Sequence, residues 1–368
     1  MSTPSKLVVI ALAGLLLGVG AFATWQWLSN LTPESGMVAV AVSDTTTTAV
    51  ATTSTSSTTA TTTTTTTSTS TSTIPPKGAL VIHGTGDVNL DPGYIPALTA
   101  NGWEYAWSGL DGLFVEDDLT VINLECAPSH RGSPEPKEFV FRCPPEALPS
   151  LARNGVEVAN LGNNHSGDYG KEALVDGRGQ LIAAGVAPVG AGQDLAEAGE
   201  PAVLEINGWK VAVVGFGGVS PGDHWYAAED RPGMRSGDHI DQMVEAVAAA
   251  DMIADLVVVS IHWGVELDTA PRDEDVERAR AMIEAGADAI FGHHPHRMQP
   301  FEMMDGAAVF WSLGNFVWPS LSVAGSTTGV ARVVVSPDGD IEACLIPAYI
   351  ESHGHPVLTG EPECGPQS

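Results

Sequence analysis

The sequence has few basic residues: 16 Lys and Arg stand against 45 Asp and Glu in 368 residues, and the formal net charge is −29. Nucleic-acid binding depends on Lys and Arg contacts that release counterions from phosphates, so this balance excludes a nucleic-acid-binding protein. It also disfavours docking on an anionic membrane surface. Only two acids and two bases lie in the first 77 residues, so the whole net charge falls on residues 78–368.

Charged side chains are missing altogether from residues 7–28. As a helix with a rise of 1.5 Å per residue, this stretch would reach about 33 Å, enough to cross a hydrocarbon layer of ~30 Å. Trp25 and Trp27 stand where an interfacial aromatic belt would lie. Lys6 precedes the stretch and favours a cytoplasmic N-terminus. We therefore predict that residues 1–30 form a single-pass membrane anchor with everything after it outside the cell membrane.

A cleaved signal peptide is the alternative for the same segment, because Ala21-Phe22-Ala23 has the small-residue pattern of a cleavage site. The protein would then be secreted. Both interpretations export the rest of the chain. No cysteine closes the apolar stretch, which excludes a lipid-modified N-terminus.

The segment that follows lacks the apolar residues needed to fold. Of the 29 residues from 45 to 73, 25 are Thr or Ser, and such a tract cannot bury enough surface to offset its conformational entropy. We predict a disordered linker over residues 31–77, either an O-glycosylated stalk through a cell wall or a plain tether. A folded domain is expected over residues 78–350, followed by a C-terminal tail over 351–368.

Cysteine is also scarce, with four in the chain and no C-x-x-C motif, which disfavours a cysteine metal site. In an exported chain four cysteines favour disulfides, and three pairings are possible. We favour the local pairing of Cys126 with Cys143 and of Cys344 with Cys364. The first bridge would staple the loop that follows Glu125, which by the loop-entropy relation contributes about 3 kcal/mol.

The folded region reads as alternating strands and helices. Short runs rich in Val and Ile, bounded by Gly, are typical of strands buried on both faces. Apolar positions at helical spacing predict helices over 238–255 and 273–285. A Ser-Pro-Asp-Gly-Asp turn between two late runs predicts a hairpin. The predicted class is α/β with antiparallel strands at its end, and the predicted strands are 79–82, 119–123, 156–161, 211–216, 256–261, 288–291, 309–312, 330–335 and 341–346.

Polar side chains follow six of these strands. Each alone has an ordinary structural explanation, such as a turn former or a hydrogen-bonded histidine. Ligands of open α/β sheets, however, bind beyond the carboxyl ends of the strands, and these residue types are ligands of divalent metals. Their coincidence at corresponding strand ends predicts one metal-binding cleft. The side chains are Asp87, Asn123, Glu125, Asn163, Asn164, His165, Asp168, His262, Glu266, His293, His294, His296 and Asn315.

The ordered motifs GDVNL, NLE, NNHSGDYG, HWGVE, GHHPHRMQPFE and SLGNF, within residues 79–320, resemble the CapA family of poly-γ-glutamate capsule synthesis proteins. That family is similar in fold to calcineurin-like metallophosphoesterases. The resemblance implies a four-layer α/β/β/α sandwich with a metal-type cleft at the strand ends. It also implies a part in the synthesis, export or anchoring of an anionic capsule or cell-wall polymer, with membrane-bound capsule synthesis subunits as partners.

Residue by residue, the resemblance implies one or two divalent ions, Mn, Fe or Zn. The implied metal ligands are Asp87, Glu125, Asn164, His262, His294 and His296. The implied catalytic residues are His165, which would polarise the leaving oxygen, and Asp168. The residues expected around the metal or on the substrate are Asn89, Asn123, Asn163, Glu266, His293, Arg297 and Asn315.

Two motifs depart from the phosphoesterase pattern. D-x-H has become Asp87-Val88-Asn89, and G-D-x-x-D has become Asn123-Leu124-Glu125. Catalysis is therefore left open: the alternative to a capsule assembly protein is a metal-dependent phosphoesterase or other hydrolase acting on a different envelope substrate. At −29 the domain would repel polyglutamate over a Debye length of about 8 Å. Contact with such a polymer would need a local base such as Arg297, or bridging divalent cations.

Overall fold

The computed structural model describes residues 76–365. The predicted membrane anchor or signal segment and nearly all of the predicted Thr/Ser linker lie outside this range, so both stay predictions. Among residues 76–365, no helix combines the length and the apolar character needed to span a membrane.

Seventeen strands and seven α-helices make up the described region. The strands are β1 Leu80–Val88, β2 Leu119–Leu124, β3 Val158–Asn160, β4 Ala187–Val189, β5 Ala191–Gly192, β6 Ala202–Ile206, β7 Trp209–Gly217, β8 Gly233–Met234, β9 Leu256–His262, β10 Ala289–His293, β11 Phe301–Met304, β12 Ala307–Phe310, β13 Asn315–Val317, β14 Thr327–Val335, β15 Ile341–Ser352, β16 His355–Leu358 and β17 Glu363–Cys364. The helices are α1 Ala97–Asn101, α2 Pro149–Arg153, α3 Gly170–Ala184, α4 Leu195–Ala198, α5 Ile240–Asp251, α6 Asp273–Glu284 and α7 Val323–Ser326. Short 3₁₀ turns lie at Trp103–Trp107, Pro145–Ala147 and Asp223–Trp225.

The larger sheet runs β16-β15-β14-β1-β2-β3-β4, with β13 pairing to β1 and β17 to β15. Strands β1 to β4 are parallel, and β14 to β16 are antiparallel. The second sheet runs β11-β12-β10-β9-β7-β6, and its four central strands are parallel. A two-stranded sheet joins β5 to β8. In both large sheets the carboxyl ends of the parallel strands therefore lie along one edge.

The two large sheets pack face to face through an apolar core that includes Ile82 and Val121 from one sheet and Val213, Val258 and Phe291 from the other. Helices α2 and α3 cover the outer face of the larger sheet, and α5 and α6 cover that of the second. The layers run α/β/β/α, within the predicted α/β class. Burial on both faces explains why the strands read as unbroken apolar runs.

Helices α5 and α6 occupy the segments that their periodicity predicts. Helix α3 was not predicted, because three glycines over residues 170–179 obscure its apolar pattern. The helix forms because Leu174 and Leu181 are buried against the sheet. Gly177 lets its backbone approach Pro128: a β-carbon there would lie 2.7 Å from Pro128 Cγ.

Strand pairing continues past residue 350, where the folded domain was expected to end. Strands β16 and β17 both pair with β15, so residues 351–364 belong largely to the larger sheet rather than to a separate tail. The Cys344–Cys364 disulfide joins β15 to β17, and the Cys126–Cys143 disulfide closes the loop after β2. The structure thus contains the local pairing.

Candidate metal centre and adjoining cleft

Asp87 lies at the carboxyl end of β1 and is fully buried. Asn123, at the end of β2, donates an amide hydrogen bond of 2.9 Å to its Oδ1, and His296 Nδ1 lies 3.0 Å from its Oδ2. Burial alone would raise the pKa of Asp87, but the hydrogen bond and charge of His296 outweigh it and lower the pKa. Asp87 is therefore held as a carboxylate in the interior.

Glu125 directly follows β2 and is fully buried, and neither of its carboxyl oxygens has a hydrogen-bond partner among residues 76–365. Three imidazoles surround its Oε1: His262 Nε2 at 3.6 Å, His165 Nε2 at 3.8 Å and His296 Nε2 at 3.9 Å. These distances are too long for hydrogen bonds. Burial, and then the charge of Asp87, raise the pKa of Glu125 well above its usual range. A buried carboxyl without donors is unfavourable, and a cation would relieve it.

His262 ends β9 and faces the same point from the second sheet. Its Nδ1 lies 3.1 Å from the Asn123 amide, and its Nε2 lies 2.8 Å from Asn164 Oδ1. Burial, followed by the neighbouring histidines, lowers the pKa of His262 well below its usual value. The ring is thus neutral near pH 7, which is the form that binds metals.

The end of β10 and the loop after it supply three histidines in different roles: His293 is the last residue of the strand, and His294 and His296 lie in the loop. His294 and His296 have positive φ angles of 95° and 52°, a sparsely populated conformation for non-glycine residues. His294 Nδ1 is buried without a partner, whereas His296 Nδ1 also lies 2.8 Å from Asn315 Oδ1. His293 Nε2 bonds Ser260 Oγ at 3.1 Å, and its other ring nitrogen is 3.8 Å from Asp87. His293 therefore lies behind the cluster and supports it.

The pKa values of these three histidines diverge. Burial lowers the pKa of His293 to about 4, and burial together with the charge of His296 lowers that of His294 to about 4. Burial also disfavours the charged form of His296, but the charge of Glu125 and the bond to Asp87 outweigh it and raise its pKa to about 9. His296 therefore carries a proton in this arrangement, and a metal bound through its ring would have to displace that proton.

Two groups of candidate ligands emerge. One oxygen or nitrogen from each of Asp87, Glu125 and His262 lies within 4.8 Å of the others, and the same holds for Glu266, His294 and His296. The first group is fully buried, while Glu266 in the second is exposed. Mixed carboxylate and imidazole donors suit Mn, Fe or Zn. The donor chemistry and the unpartnered Glu125 fit the predicted metal, whose binding and identity stay predictions.

His165 is held beside this cluster by groups from two loops. Its Nδ1 donates to Asp168 Oδ2 at 2.7 Å. Asp168, fully buried, also accepts from Lys137 Nζ at 2.5 Å and from the Phe141 backbone N–H at 2.7 Å. Burial outweighs the bond to Asp168 and lowers the pKa of His165. Lys137 was not predicted; it lies in an irregular loop, and no strand-end pattern marks it.

Two asparagines of the predicted site have local roles. Asn163 Oδ1 accepts the backbone N–H groups of His165 and Ser166, so it shapes the loop after β3. Asn89, expected near the metal in place of a histidine, accepts the backbone N–H of Asp91 at 2.8 Å and holds a turn instead. Its Nδ2 is buried without a partner.

A cavity of about 250 Å³ adjoins the cluster. Its wall is a chain of rings: Tyr94 and Phe141 have centroids 4.6 Å apart, Phe141 and Trp318 5.7 Å, and Trp318 and His296 4.8 Å. Arg297 and Glu266, both predicted near the substrate, also line the cavity. The cluster therefore opens into a small cleft with an aromatic wall.

Comparison with known proteins places the chain in a family. Residues 81–320 match the family described as "Bacterial capsule synthesis protein PGA_cap". The chain is 38% identical over 229 residues to the "PGA biosynthesis protein CapA" of Bacillus subtilis, covering 61% of this chain and 60% of that protein. It is 36% identical over 176 residues to the "Capsule biosynthesis protein CapA" of Bacillus anthracis, covering 47% and 43%.

Likeness to solved structures is weaker. The NAD nucleotidase of Haemophilus influenzae superposes with a TM-score of 0.45 at 12% identity, covering 79% of this chain and 54% of that one, too low to bear on function. The chain also spans less than two thirds of the two relatives named above. The family match covers well over half of this chain. By its motifs and this match, the protein belongs to the bacterial capsule synthesis protein family, with CapA among its relatives.

Proposed function

We propose that this protein takes part in the synthesis, export or anchoring of an anionic capsule polymer of the poly-γ-glutamate type, and that it does so through a divalent metal site. The observation that carries the metal site is Glu125, a fully buried carboxyl with two unpartnered oxygens facing three imidazoles. Asp87 and His262 complete the inner donor set, and Glu266, His294 and His296 form the outer one. Asn164 is the further candidate ligand.

A bound metal would reduce the repulsion between this negatively charged protein and an anionic polymer. The folded part carries the whole net charge of −29, which opposes the approach of a polyanion. When bound, a divalent cation supplies Lewis acidity and a positive contact for an anionic group. Asn123 keeps the donors in position, because its amide touches both Asp87 and His262.

The proposed place of action is the outer side of the cell membrane, with membrane-bound capsule synthesis subunits as partners. The apolar residues 7–28 would anchor the chain, or direct its secretion if they are cleaved. Two disulfides support export, since such bonds persist in oxidising compartments. Fractionation of cells followed by immunoblotting would test this: recovery of the full-length chain from the cytoplasm would contradict the proposal.

Elemental analysis of the purified full-length chain tests the metal site. We expect one or two equivalents of Mn, Fe or Zn, lost in the double variant His294→Ala, His296→Ala. The matched control is His130→Ala, His239→Ala, which removes two exposed imidazoles outside the cluster. Thermal melts establish that each variant is folded. A folded wild type that takes up no metal, even after incubation with each ion, would refute the metal site.

A hydrolase is the second candidate, and the His165–Asp168–Lys137 arrangement favours it. Asp168 and Lys137 fix the ring of His165, and Phe141 packs on it with centroids 4.4 Å apart, which restricts water. His165 Nε2 then faces the cluster as the acceptor nitrogen, because Nδ1 holds the ring proton toward Asp168. In a hydrolysis Nε2 would accept a proton from the attacking water and return it to the leaving oxygen. This candidate predicts that His165→Ala loses turnover of phosphoesters or γ-linked peptides while the metal content stays unchanged. Absence of wild-type turnover on both substrate classes would favour the assembly role.

A further inference from the structure

Arg297 lies at the edge of the cleft, and within residues 76–365 no carboxylate pairs with it. Most arginines of the described region pair with carboxylates, as expected in a domain with three times more acids than bases. Arg297 forms no ion pair with any described residue, although it lines the cavity together with Glu266. The paired arginines are Arg131, Arg153, Arg178, Arg235, Arg272 and Arg278.

The guanidinium of Arg297 is nevertheless held in place. Its Nη1 donates to the backbone carbonyl of His296 at 2.7 Å. Gly325 leaves room behind it, because a β-carbon at that position would lie 3.3 Å from Nη1. Asn315 links the two residues that flank the guanidinium. Its side-chain oxygen accepts from the His296 ring, and its amide donates to the Gly325 carbonyl at 2.9 Å. One nitrogen of the guanidinium, Nη1, is thus fixed, and the remaining N–H groups of the guanidinium are available to a ligand.

The rest of the cleft is suited to an apolar stem. Trp318 and Tyr94 form one wall, and the partly exposed side chains of Phe139, Leu267 and Leu321 line the mouth. The cavity volume of 250 Å³ is below the ~300–1,000 Å³ of pockets that enclose whole drug-sized ligands. It therefore accommodates one repeating unit or a chain end, while the remainder of a polymer would lie outside.

We propose that Arg297 selects the ligand of this cleft: its guanidinium binds one carboxylate or phosphate of a single repeating unit, while the apolar stem of that unit packs against Trp318 and Tyr94. The inference rests on the proposed function in that the ligand is an anionic envelope polymer. Arginine suits this role because its planar fork binds such groups through two parallel hydrogen bonds. A neutral glycan would use the aromatic wall but not the guanidinium.

Calorimetric titration of the full-length chain with three probes tests the proposal. The probes are a γ-linked glutamate decamer, a glycerol phosphate decamer and a γ-linked isoglutamine decamer, in which every free α-carboxylate is replaced by a neutral carboxamide. We expect at least one anionic decamer to bind more tightly than the isoglutamine decamer, and the stronger of the two identifies the anion. Arg297→Gln should weaken binding of that decamer by about tenfold, the size of a charge-assisted hydrogen bond, and leave the neutral decamer unchanged.

Two further variants separate recognition from net charge. Arg280→Gln makes the same charge change at an exposed position on α6, and its affinity should equal that of the wild type. Arg297→Lys keeps the charge but not the fork, so its affinity should be intermediate. Wild-type affinity in Arg297→Gln, equal loss in Arg280→Gln, or equal binding of all three probes would overturn the proposal.

Repeating the titrations with added metal and with chelator distinguishes this inference from the metal site. Arg297-dependent binding by a chain that takes up no metal would refute the metal site and leave the role of Arg297 standing. Metal uptake by a chain whose decamer binding is unchanged in Arg297→Gln would support the metal site and refute the role of Arg297.

Discussion

Strands β1 and β2 carry buried polar side chains toward both of their ends. Toward the amino ends, His83 Nδ1 lies 2.6 Å from Asp117 Oδ2, which also accepts the Thr120 hydroxyl at 2.6 Å. The Thr120 backbone N–H in turn donates to Glu157 Oε2 at 2.8 Å. Toward the carboxyl ends lie Asp87 and Glu125 with the histidine cluster. The same strands thus bury carboxylates and imidazoles twice.

The two clusters differ in the hydrogen-bond donors that their carboxylates receive. Asp117 has two protein donors on one oxygen, although its other oxygen and His83 Nε2 have none. Glu125 has no donor on either oxygen from the part of the chain that the structure describes. The amino-end cluster is drawn mostly from neighbouring positions of the same sheet, whereas the carboxyl-end cluster brings together loops of both sheets. Burial alone therefore does not predict a ligand site; a buried carboxylate that lacks a donor on both of its oxygens does.

The largest expected difference between the two clusters is in the stability that the protein gains from metal binding. With free Mn²⁺ at about a thousand times its dissociation constant, the unfolding free energy should rise by about 4 kcal/mol. Glu125→Gln should lose most of this gain because it removes a ligand, and Asp117→Ala should retain it. Urea unfolding of the full-length variants, with metal and with chelator, measures the difference. An undiminished gain in Glu125→Gln would contradict the assignment of the carboxyl-end cluster.

Loss of the amino-end pair should reduce stability without affecting metal uptake. Asp117→Ala leaves the His83 ring and the Thr120 hydroxyl without their acceptor, and each unsatisfied buried group costs about 1–3 kcal/mol. We expect the unfolding free energy to fall by about 3 kcal/mol in urea titrations. Adding His83→Leu should recover part of the lost unfolding free energy, since it removes a buried ring that has lost its hydrogen-bond acceptor. A change in metal content in Asp117→Ala would show that the two clusters are coupled.

The smallest effect concerns Glu157. Burial, offset in part by the bond from Thr120, raises its pKa from 4.5 to about 7. The folded state therefore holds this proton more tightly, so the group's contribution to stability is complete below pH 4.5 and is lost as the pH rises through about 7.

Glu157→Gln should remove this dependence. Relative to wild type, the variant should gain on the order of 1 kcal/mol of unfolding free energy across that pH range, a figure reduced for partial solvent exposure. Urea titrations at several pH values measure the difference between the two proteins. A difference independent of pH would show that Glu157 titrates as in the unfolded chain.

Much of the candidate site could be predicted because the carboxyl ends of parallel strands share an edge. Asp87, Glu125, Asn164 and His262 follow strands at that edge, and the structure brings them together. Their action as ligands stays a prediction. Lys137 could not be found in this way, since it reaches Asp168 from an irregular loop. Asn89 was placed near the metal or substrate by the family resemblance alone, and its side-chain oxygen accepts the backbone N–H of Asp91, a local contact that no motif spacing reveals.

The edge strands and the glycine-rich helix α3 were not predicted from the sequence, for a related reason. Strands β6, β11, β16 and β17 are short or lie at sheet edges, so their apolar patterns are weak. Helix α3 depends on packing under the loop that contains Pro128, which local periodicity does not encode. Central strands were predictable because burial on both faces imposes a continuous apolar run.

By itself the sequence determined the α/β class, the local cysteine preference, the family motifs and which strand ends carry polar side chains, because these follow from periodicity and from residues near one another in the chain. Only the tertiary structure decided which carboxylates are satisfied, since groups such as His262 and Glu125 lie far apart in sequence and face each other from two sheets, at a distance too long for a hydrogen bond. It likewise decided that Arg297 lies beside an aromatic wall without an ion pair to any residue of the described range 76–365. Hydrogen-bond satisfaction depends on distances and angles between elements, which no local pattern contains.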